Sequence, residues 1–275
     1  MEDFEQSVID LEELSIWIGS HVDLVQGPGG NTSCKNENEM WVKASGTQLR
    51  DAKDRNIFVR VSQQPPFDQI GLSSLRPSIE VFLHRNCPTK YVAHTHSVGA
   101  MALSFRTDAQ SIISKLSQIM CMSFVPYGRP GIELERNISR HVDYTNCEAA
   151  ILANHGLLVW GESGTEVQSK IEKIEQVLRD WKLLGFSSED EFERNKPRKI
   201  DGKFLTPDHA VFLENSIELE IPEENSTDWI VDFIHALRLS LKLIPSHIAI
   251  SFISDEEALE LQKWESEVLR KSENS

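Results

Sequence analysis

Between residues 4 and 186 the chain alternates between two hydrophobic periods. Segments with apolar side chains every three or four positions give way to short apolar runs of strand length, with Gly and Pro at the breaks. That alternation predicts an α/β architecture, in which helices cover a sheet, and leaves the strand order open. Phe4, Val8, Leu11, Leu14 and Ile18 fall on one helical face. GPGGNTS (27–33) ends that pattern, and EMWVKAS (39–45) and NIFVRVS (56–62) read as strands. GTQLRDA between them reads as a turn and a short helical piece, and 63–77 as a loop. Residues 78–86 predict a helix with Ile79, Phe82 and Leu83 on one face. YVAHTH (91–96) predicts a strand and VGAMALSF (98–105) a buried helix, while 109–122 fits either class. ILANHGLLVWG (151–161) reads as two strands broken at Asn154–Gly156. A helix over 165–184 is expected to open on a Thr165/Gln168 capping box and to close at Gly185. The charged stretch SSEDEFERNKPRK (187–199) reads as a linker or surface loop. Helices over 228–244 and 255–271 follow, the second opened by Ser254 and Glu257. The division expected is 1–186 as a catalytic domain and 187–275 as a linker with a helical C-terminal extension.

Charge narrows the function. With 28 Lys and Arg against 43 Asp and Glu, the net charge is −15. Nucleic-acid binders need a basic face, and anionic membrane surfaces attract basic ones, so neither partner is expected. No run approaches the ~18 apolar residues of a membrane span. The opening MEDFEQSVIDLEEL has neither the basic nor the apolar stretch of a signal peptide. Cys34, Cys87, Cys121 and Cys147 show no CxxC spacing. They are expected to be free thiols in a reducing cytoplasm rather than a disulfide framework.

Four places carry groups suited to chemistry. His94 and His96, two apart on a strand, point to one face and can reach one metal ion; two polar residues on a wet face is the competing reading. His155 sits at a small-residue break in an apolar run, where it is either a third ligand or a core histidine bonded to backbone carbonyls. Three imidazoles with an open fourth position match a catalytic zinc site. GPGGNTS exposes backbone N–H groups, and Asn31, Thr32 and Ser33 add side-chain partners, either for an anion or for a plain surface turn. Ala44-Ser45-Gly46 offers similar donors. Glu80, early in its helix, is either a proton shuttle in a desolvated pocket or a solvated residue steadying its own helix.

GPGGNTS, KASGT, RPSIEVFLH, HTH and ANHG occur together, in the order and approximate spacing of the class II aldolase/adducin family. Over about residues 5–185 the chain resembles that family. LTPDHAVFLE (205–214) and LQKWESEVLRK (261–271) resemble the region after the aldolase half of bifunctional aldolase/short-chain dehydrogenase proteins. No GxGxxG follows, so the dehydrogenase half is expected to be absent. The resemblance implies a mixed, largely antiparallel sheet flanked by helices. It implies His94, His96 and His155 as ligands of one Zn2+ per subunit, and Glu80 as the acid/base. Asn31, Thr32, Ser45, Gly46 and Ser78 are the implied substrate or phosphate contacts. Tyr127, in VPYGRPG, resembles the tyrosine assisting at the aldehyde end, though the gap from HTH is longer than in the sugar-phosphate aldolases. The chain departs at Ile79, where fuculose-phosphate enzymes place a second serine, leaving Arg76 as a compensating anion partner. The implied activity is zinc-dependent retro-aldol cleavage of a ketose or ketose 1-phosphate in a cytoplasmic homotetramer, with the site between subunits. A sugar-phosphate 4-epimerase uses the same apparatus, and a non-catalytic adducin-like module is the alternative of a different class.

Overall fold

The computed structural model describes residues 2–54, 57–66, 68–116, 119–213 and 228–264. Helix α1 (Glu2–Gly19) precedes strands β1 (Asn31–Lys35), β2 (Glu39–Lys43) and β3 (Phe58–Ser62). Then come α2 (Val81–Arg85), β4 (Tyr91–Thr95), α3 (Val98–Ser104), α4 (Ala109–Leu116) and β5 (Met122–Val125). Next are α5 (Ile132–His141), β6 (Ala149–Leu152), β7 (Gly156–Gly161), α6 (Gly164–Leu178) and α7 (Trp181–Leu184). The C-terminal part holds α8 (Glu189–Arg194), α9 (Pro207–Leu213), α10 (Asp228–Lys242) and α11 (Asp255–Lys263). The second half of the helix expected over 255–271 lies outside the described residues.

The strands form one seven-stranded sheet in the order β3-β2-β1-β4-β7-β6-β5. Every neighbouring pair is antiparallel except β5 and β6. Strand alternation gives the sheet two apolar faces, and helices cover both. Val8, Leu11, Leu14 and Ile18 of α1 join Val167, Ile171 and Ile174 of α6 over Ala93, Ile151, Leu157 and Val159. On the other face, Leu83 of α2 with Leu134 and Ile138 of α5 covers Val92, Ala150, Leu158 and Trp160. Each such aliphatic side chain stabilises the fold by about 1.5–3 kcal/mol when fully buried. The four on α1 together contribute about 6–12 kcal/mol toward docking that helix.

The C-terminal part does not hang free of this sandwich. Phe233, Leu237 and Leu241 of α10 share a core with Val98, Met101 and Phe105 on and beside α3. The Asn154 amide donates to the carbonyls of Leu205 (3.0 Å) and Ser251 (2.9 Å). Asn154 is itself in the left-handed region, at φ 53°, a conformation Asn tolerates better than most residues. The turn that presents His155 is thereby clamped from outside the sheet.

Three expectations change. Helix α6 is capped by Ser163, which accepts from the Glu166 N–H, and ends at Leu178, so the Thr165/Gln168 box is displaced by two residues. Ser163 Oγ accepts from the Glu166 N–H and the Glu166 carboxylate from the Glu162 N–H, so the orphan donors at the end of β7 are the ones capped. GPGGNTS is half strand, because Asn31–Ser33 pair with β4 and are buried. Finally, Cys121 and Cys147 are joined by a disulfide, while Cys34 and Cys87 are free and buried. The parallel pairing of Met122 with Ala149 sets the two cysteines before β5 and β6 side by side, a tertiary proximity that spacing does not reveal.

Gly156 tests how tightly the sheet is closed at this end. A Cβ there would lie 2.3 Å from the Thr95 carbonyl oxygen, a backbone atom that cannot swing away. Gly156→Ala is expected to cost about 1–3 kcal/mol as overpacking, read as a lower urea midpoint. An unchanged midpoint would mean that β4 and the 153–156 turn separate freely.

Candidate metal centre and acid/base site

β4 delivers the first two imidazoles. His94 lies on the face of Val92, and His96 follows one residue beyond the strand end. Both are buried, with His94 0% and His96 5% exposed, so neither lies on a wet face. β7 delivers the third, because His155 sits in the turn before Gly156 and is 3% exposed. The rings converge, with centroid separations of 4.9, 4.7 and 5.3 Å. One ligand nitrogen from each lies within 4.8 Å of the others.

The ring nitrogens have a consistent orientation. His94 Nδ1 bonds the Leu157 carbonyl at 3.0 Å. His96 Nδ1 faces the Asp208 carboxylate at 3.2 Å. Both Nε2 atoms therefore turn inward and lie 3.0 Å apart. Burial pulls the His94 imidazole down to about 3, despite the opposing pull of Glu80. At neutral pH it is uncharged, as a metal ligand must be. His155 Nδ1 is buried with no hydrogen-bond partner. Two Nε2 atoms at this spacing, near the roughly 3.3 Å expected across a tetrahedral zinc with about 2.0 Å bonds, fit one small dication. An all-imidazole donor set suits zinc and its transition-metal neighbours better than magnesium or calcium.

Glu80 closes the group. It is the N-cap residue of α2, not a residue of its first turns, and is 6% exposed. Its Oε1 lies 3.1 Å from His155 Nε2, and its Oε2 lies 3.7 Å from His94 Nε2. Burial opposes ionisation of the carboxyl. The facing His94 and His155 outweigh it and hold the carboxyl well below the usual carboxylate range.

A chain of buried hydrogen bonds holds the carboxylate from behind. The antiparallel register pairs Asn31 with His94, setting the Asn31 amide beside the imidazoles. Asn31 Nδ2 donates to Glu80 Oε2 at 2.8 Å and toward Ser78 Oγ at 3.4 Å. His84 Nε2 meets Asn31 Oδ1, and Ser33 Oγ meets His84 Nδ1 at 2.7 Å. Burial pulls the His84 imidazole down to about 3 as well, so this ring is neutral. It can donate at Nε2 and accept at Nδ1.

The other expected residues are placed differently. Ser45 and Gly46 turn beside Ser78: the Ser45 N–H donates to the Arg76 carbonyl at 2.9 Å, and Ala44 bridges Pro77. Thr32 faces the opposite side of the sheet, where its hydroxyl bonds Ser15 of α1 at 2.7 Å. Tyr127 packs among Ala210, Ile253 and Ala258, with its hydroxyl 3.4 Å from Glu257 Oε1. Burial, then Glu257, pushes its phenol well above the ordinary range, so it is protonated at neutral pH. Ser33, His84 and Asp208 belong to the network and were not singled out for it in the sequence. The spacing of His84, four residues after Glu80 across one turn of helix, is the signal that would have found it.

The family model described as class II aldolase and adducin N-terminal domain matches residues 12–181. The chain belongs to that family. Among curated relatives, the uncharacterized oxidoreductase YuxG of Bacillus subtilis (strain 168) is 28% identical over 207 residues, 64% of this chain and 30% of its own. This chain thus spans less than a third of that relative. The L-fuculose phosphate aldolase of Methanococcus maripaludis (strain C5) is 26% identical over 56% of this chain and 84% of its own. The 3-oxo-tetronate 4-phosphate decarboxylase of Escherichia coli (strain K12) is 34% identical, over 42% of this chain and 59% of its own. Among solved structures, the N-terminal class II aldolase domain of a conserved Thermoplasma acidophilum protein superposes with a TM-score of 0.52. It is 25% identical and covers 61% of this chain and 89% of that domain. The family thus spans aldolases and decarboxylases, and a dehydratase, the methylthioribulose-1-phosphate dehydratase of Bos taurus, is also related, at 26% identity over 55% of this chain and 73% of its own.

Asn31 is the hinge of the buried network. Asn31→Asp would set a second carboxylate against Glu80 Oε2 and remove a donor. A loss of about 1–3 kcal/mol of stability at pH 7 is expected, the usual cost of a mispaired buried polar group. The loss should shrink on acidification, because like charge raises the folded-state pKa of the carboxylate pair above its unfolded value. Urea midpoints at pH 7 and pH 5 check both the size and the sign.

Proposed function

We propose that this chain is a metal-dependent aldolase acting on a ketose or ketose 1-phosphate. The observation that supports this most directly is the Glu80 carboxylate, buried and facing two of three convergent imidazoles at 3.1 and 3.7 Å. A solvated glutamate steadying its own helix would have no such environment, and a non-catalytic binding module would have no use for it.

In this reading His94, His96 and His155 hold one divalent cation per chain, with zinc the best match to the donor set. That cation supplies Lewis-acid polarisation of a carbonyl oxygen. Glu80 handles the carbon-bound proton. In the condensation direction its ionised carboxylate removes a proton from the carbon beside the carbonyl; in cleavage, once the C4 hydroxyl proton has passed to water and the C3–C4 bond has parted, the protonated carboxyl delivers a proton to that carbon. Asn31 and His84 hold the carboxylate so that it faces the imidazoles throughout. Ser45, Gly46 and Ser78 form the turn beside this group that we assign to the substrate's phosphate or hydroxyls, with Asn31 at its inner edge. Thr32, engaged with Ser15, is left out of that assignment. Tyr127, protonated and bonded to Glu257, fits a hydrogen-bond donor rather than a base, so we assign it no proton abstraction.

We further propose that residues 1–186 form the catalytic unit, that 187–275 cover one side of it, and that the protein works as a homotetramer. Light scattering tests the last point; a mass near 31.3 kDa at micromolar concentration would refute it. A 4-epimerase reading rests on the same groups, with the aldehyde retained and re-added. The decarboxylase relative makes carbon dioxide release a necessary control in any substrate screen.

Two outcomes test the core of the reading. Elemental analysis of purified protein is expected to show one divalent metal per chain, and protein that takes up none even from added zinc would exclude the mechanism. Glu80→Gln keeps the shape of the side chain but cannot take up a proton at neutral pH. It is expected to lower turnover by about 10²- to 10⁴-fold, roughly 3–5 kcal/mol of barrier, while retaining the metal. Deuterium exchange into dihydroxyacetone or its phosphate isolates this step. A variant that exchanges at nearly the wild-type rate would remove Glu80 from the role.

A further inference from the structure

Asp208 lies outside the residues matched by the family model, yet it reaches the centre of the site. It stands on α9, in the LTPDH segment, and is 6% exposed. Its Oδ2 lies 3.2 Å from His96 Nδ1. His96 is the only one of the three imidazoles that follows the end of its strand, so the β4 backbone alone does not fix its ring. His94 is fixed by the Leu157 carbonyl of β7. For His96 the corresponding partner comes from the C-terminal part of the chain.

The glycine-rich segment makes room for this pair. A Cβ on Gly29 would lie 2.9 Å from His96 Nδ1 and 3.2 Å from Asp208 Oδ2. The approach of Asp208 is held by its surroundings. The Leu205 N–H donates to His209 Nδ1 at 3.1 Å, and the His209 N–H donates to Thr206 Oγ1 at 3.0 Å. These bonds tighten the first turn of α9. Asn154, next to His155, donates to the Leu205 carbonyl. The segment carrying Asp208 is therefore tied to the turn carrying the third imidazole.

We propose that Asp208 is a positioning residue of the metal centre. Its carboxylate accepts from His96 Nδ1–H, selects the tautomer with a free Nε2 lone pair, and aims that lone pair at the cation shared with His94 and His155. A carboxylate behind an imidazole ligand also makes the ligand more basic. The C-terminal extension thereby completes the metal site rather than only covering it. The proposal rests on the metal-binding reading above, and the experiment separates the two.

The test is metal affinity, measured by competition with a chromogenic chelator for zinc and by the visible spectrum of the cobalt(II)-loaded protein. Wild type, Asp208→Asn, Asp208→Leu and Gly29→Ala are compared, each first shown by circular dichroism to be folded. Removing such a partner weakens metal binding by about 10- to 100-fold. Asp208→Leu keeps the approximate volume and loses the acceptor, so it is expected to show that loss together with shifted cobalt bands. Asp208→Asn keeps an acceptor oxygen and is expected to recover most of the affinity. Gly29→Ala leaves Asp208 intact but crowds the pair, and is expected to fall between them. Wild-type affinity and an unchanged cobalt spectrum in both Asp208→Leu and Gly29→Ala would overturn the proposal. So would an Asp208→Asn variant as weak as Asp208→Leu, since a hydrogen-bond acceptor would then not be what matters. If wild type itself binds neither metal, the metal-binding reading fails first, and the two failures are distinct.

Discussion

Taking a carboxylate and three imidazoles out of water is the constraint around which the rest of this protein is arranged. An ionised carboxylate in an apolar interior without partners costs several kcal/mol or more, and each unbonded imidazole nitrogen adds to that. Glu80, His94, His96 and His155 are all nearly inaccessible to solvent. They tolerate burial because they face one another, and because Asn31, Leu157 and Asp208 take up polar atoms at the periphery. The Glu80 carboxylate, held ionised in this group, is a buried negative charge that a dication would offset. The same arrangement that makes the cluster costly in its bare form makes it a strong site for a cation.

The sheet supplies the precision such a cluster needs. β4 lies at the centre of the strand order, paired with β1 on one side and β7 on the other. Those pairings set Asn31 opposite His94 and bring the Leu157 carbonyl within hydrogen-bond range of the His94 ring. Sites built on paired strands hold their geometry better than sites built on loops. The less regular contributors are tied down individually. Glu80 is held by Asn31, the His155 turn by Asn154, and His96 by Asp208. Helices on both faces then exclude water from the strands beneath.

The relatives carry different activities on related substrates, and the chemistry explains how one apparatus can serve them. Aldol cleavage, loss of carbon dioxide from a 3-oxo acid and loss of water beside a carbonyl all build negative charge next to a carbonyl carbon. A cation on the carbonyl oxygen and a carboxylate that moves one proton meet the common demand. What differs is the group that leaves, so discrimination falls to residues around the core cluster. In this chain the turn at 45–46 lies beside Ser78, and the C-terminal segment places Asp208 against His96.

The residues of the cluster were legible in the sequence because chemistry is local. Two histidines at strand spacing, a third at a small-residue break, and a glutamate after Pro-Ser announce themselves by type and position. The alternation of periods likewise determined the α/β class, and most elements formed where the apolar pattern put them. Other features arise only between segments far apart in the chain. The Cys121–Cys147 disulfide depends on the parallel pairing of β5 with β6, the only parallel pair among the described strands. Thr32 and Asn31 are neighbours in sequence, but strand alternation sends one to Ser15 and the other to Glu80. Asp208 lies more than a hundred residues from His96, and no period or spacing connects them. Residue type determined which groups could do chemistry here. Strand register and the docking of the C-terminal helices decided which of them meet, because hydrogen bonds and metal coordination act over about 3 Å and only the folded chain sets distances on that scale.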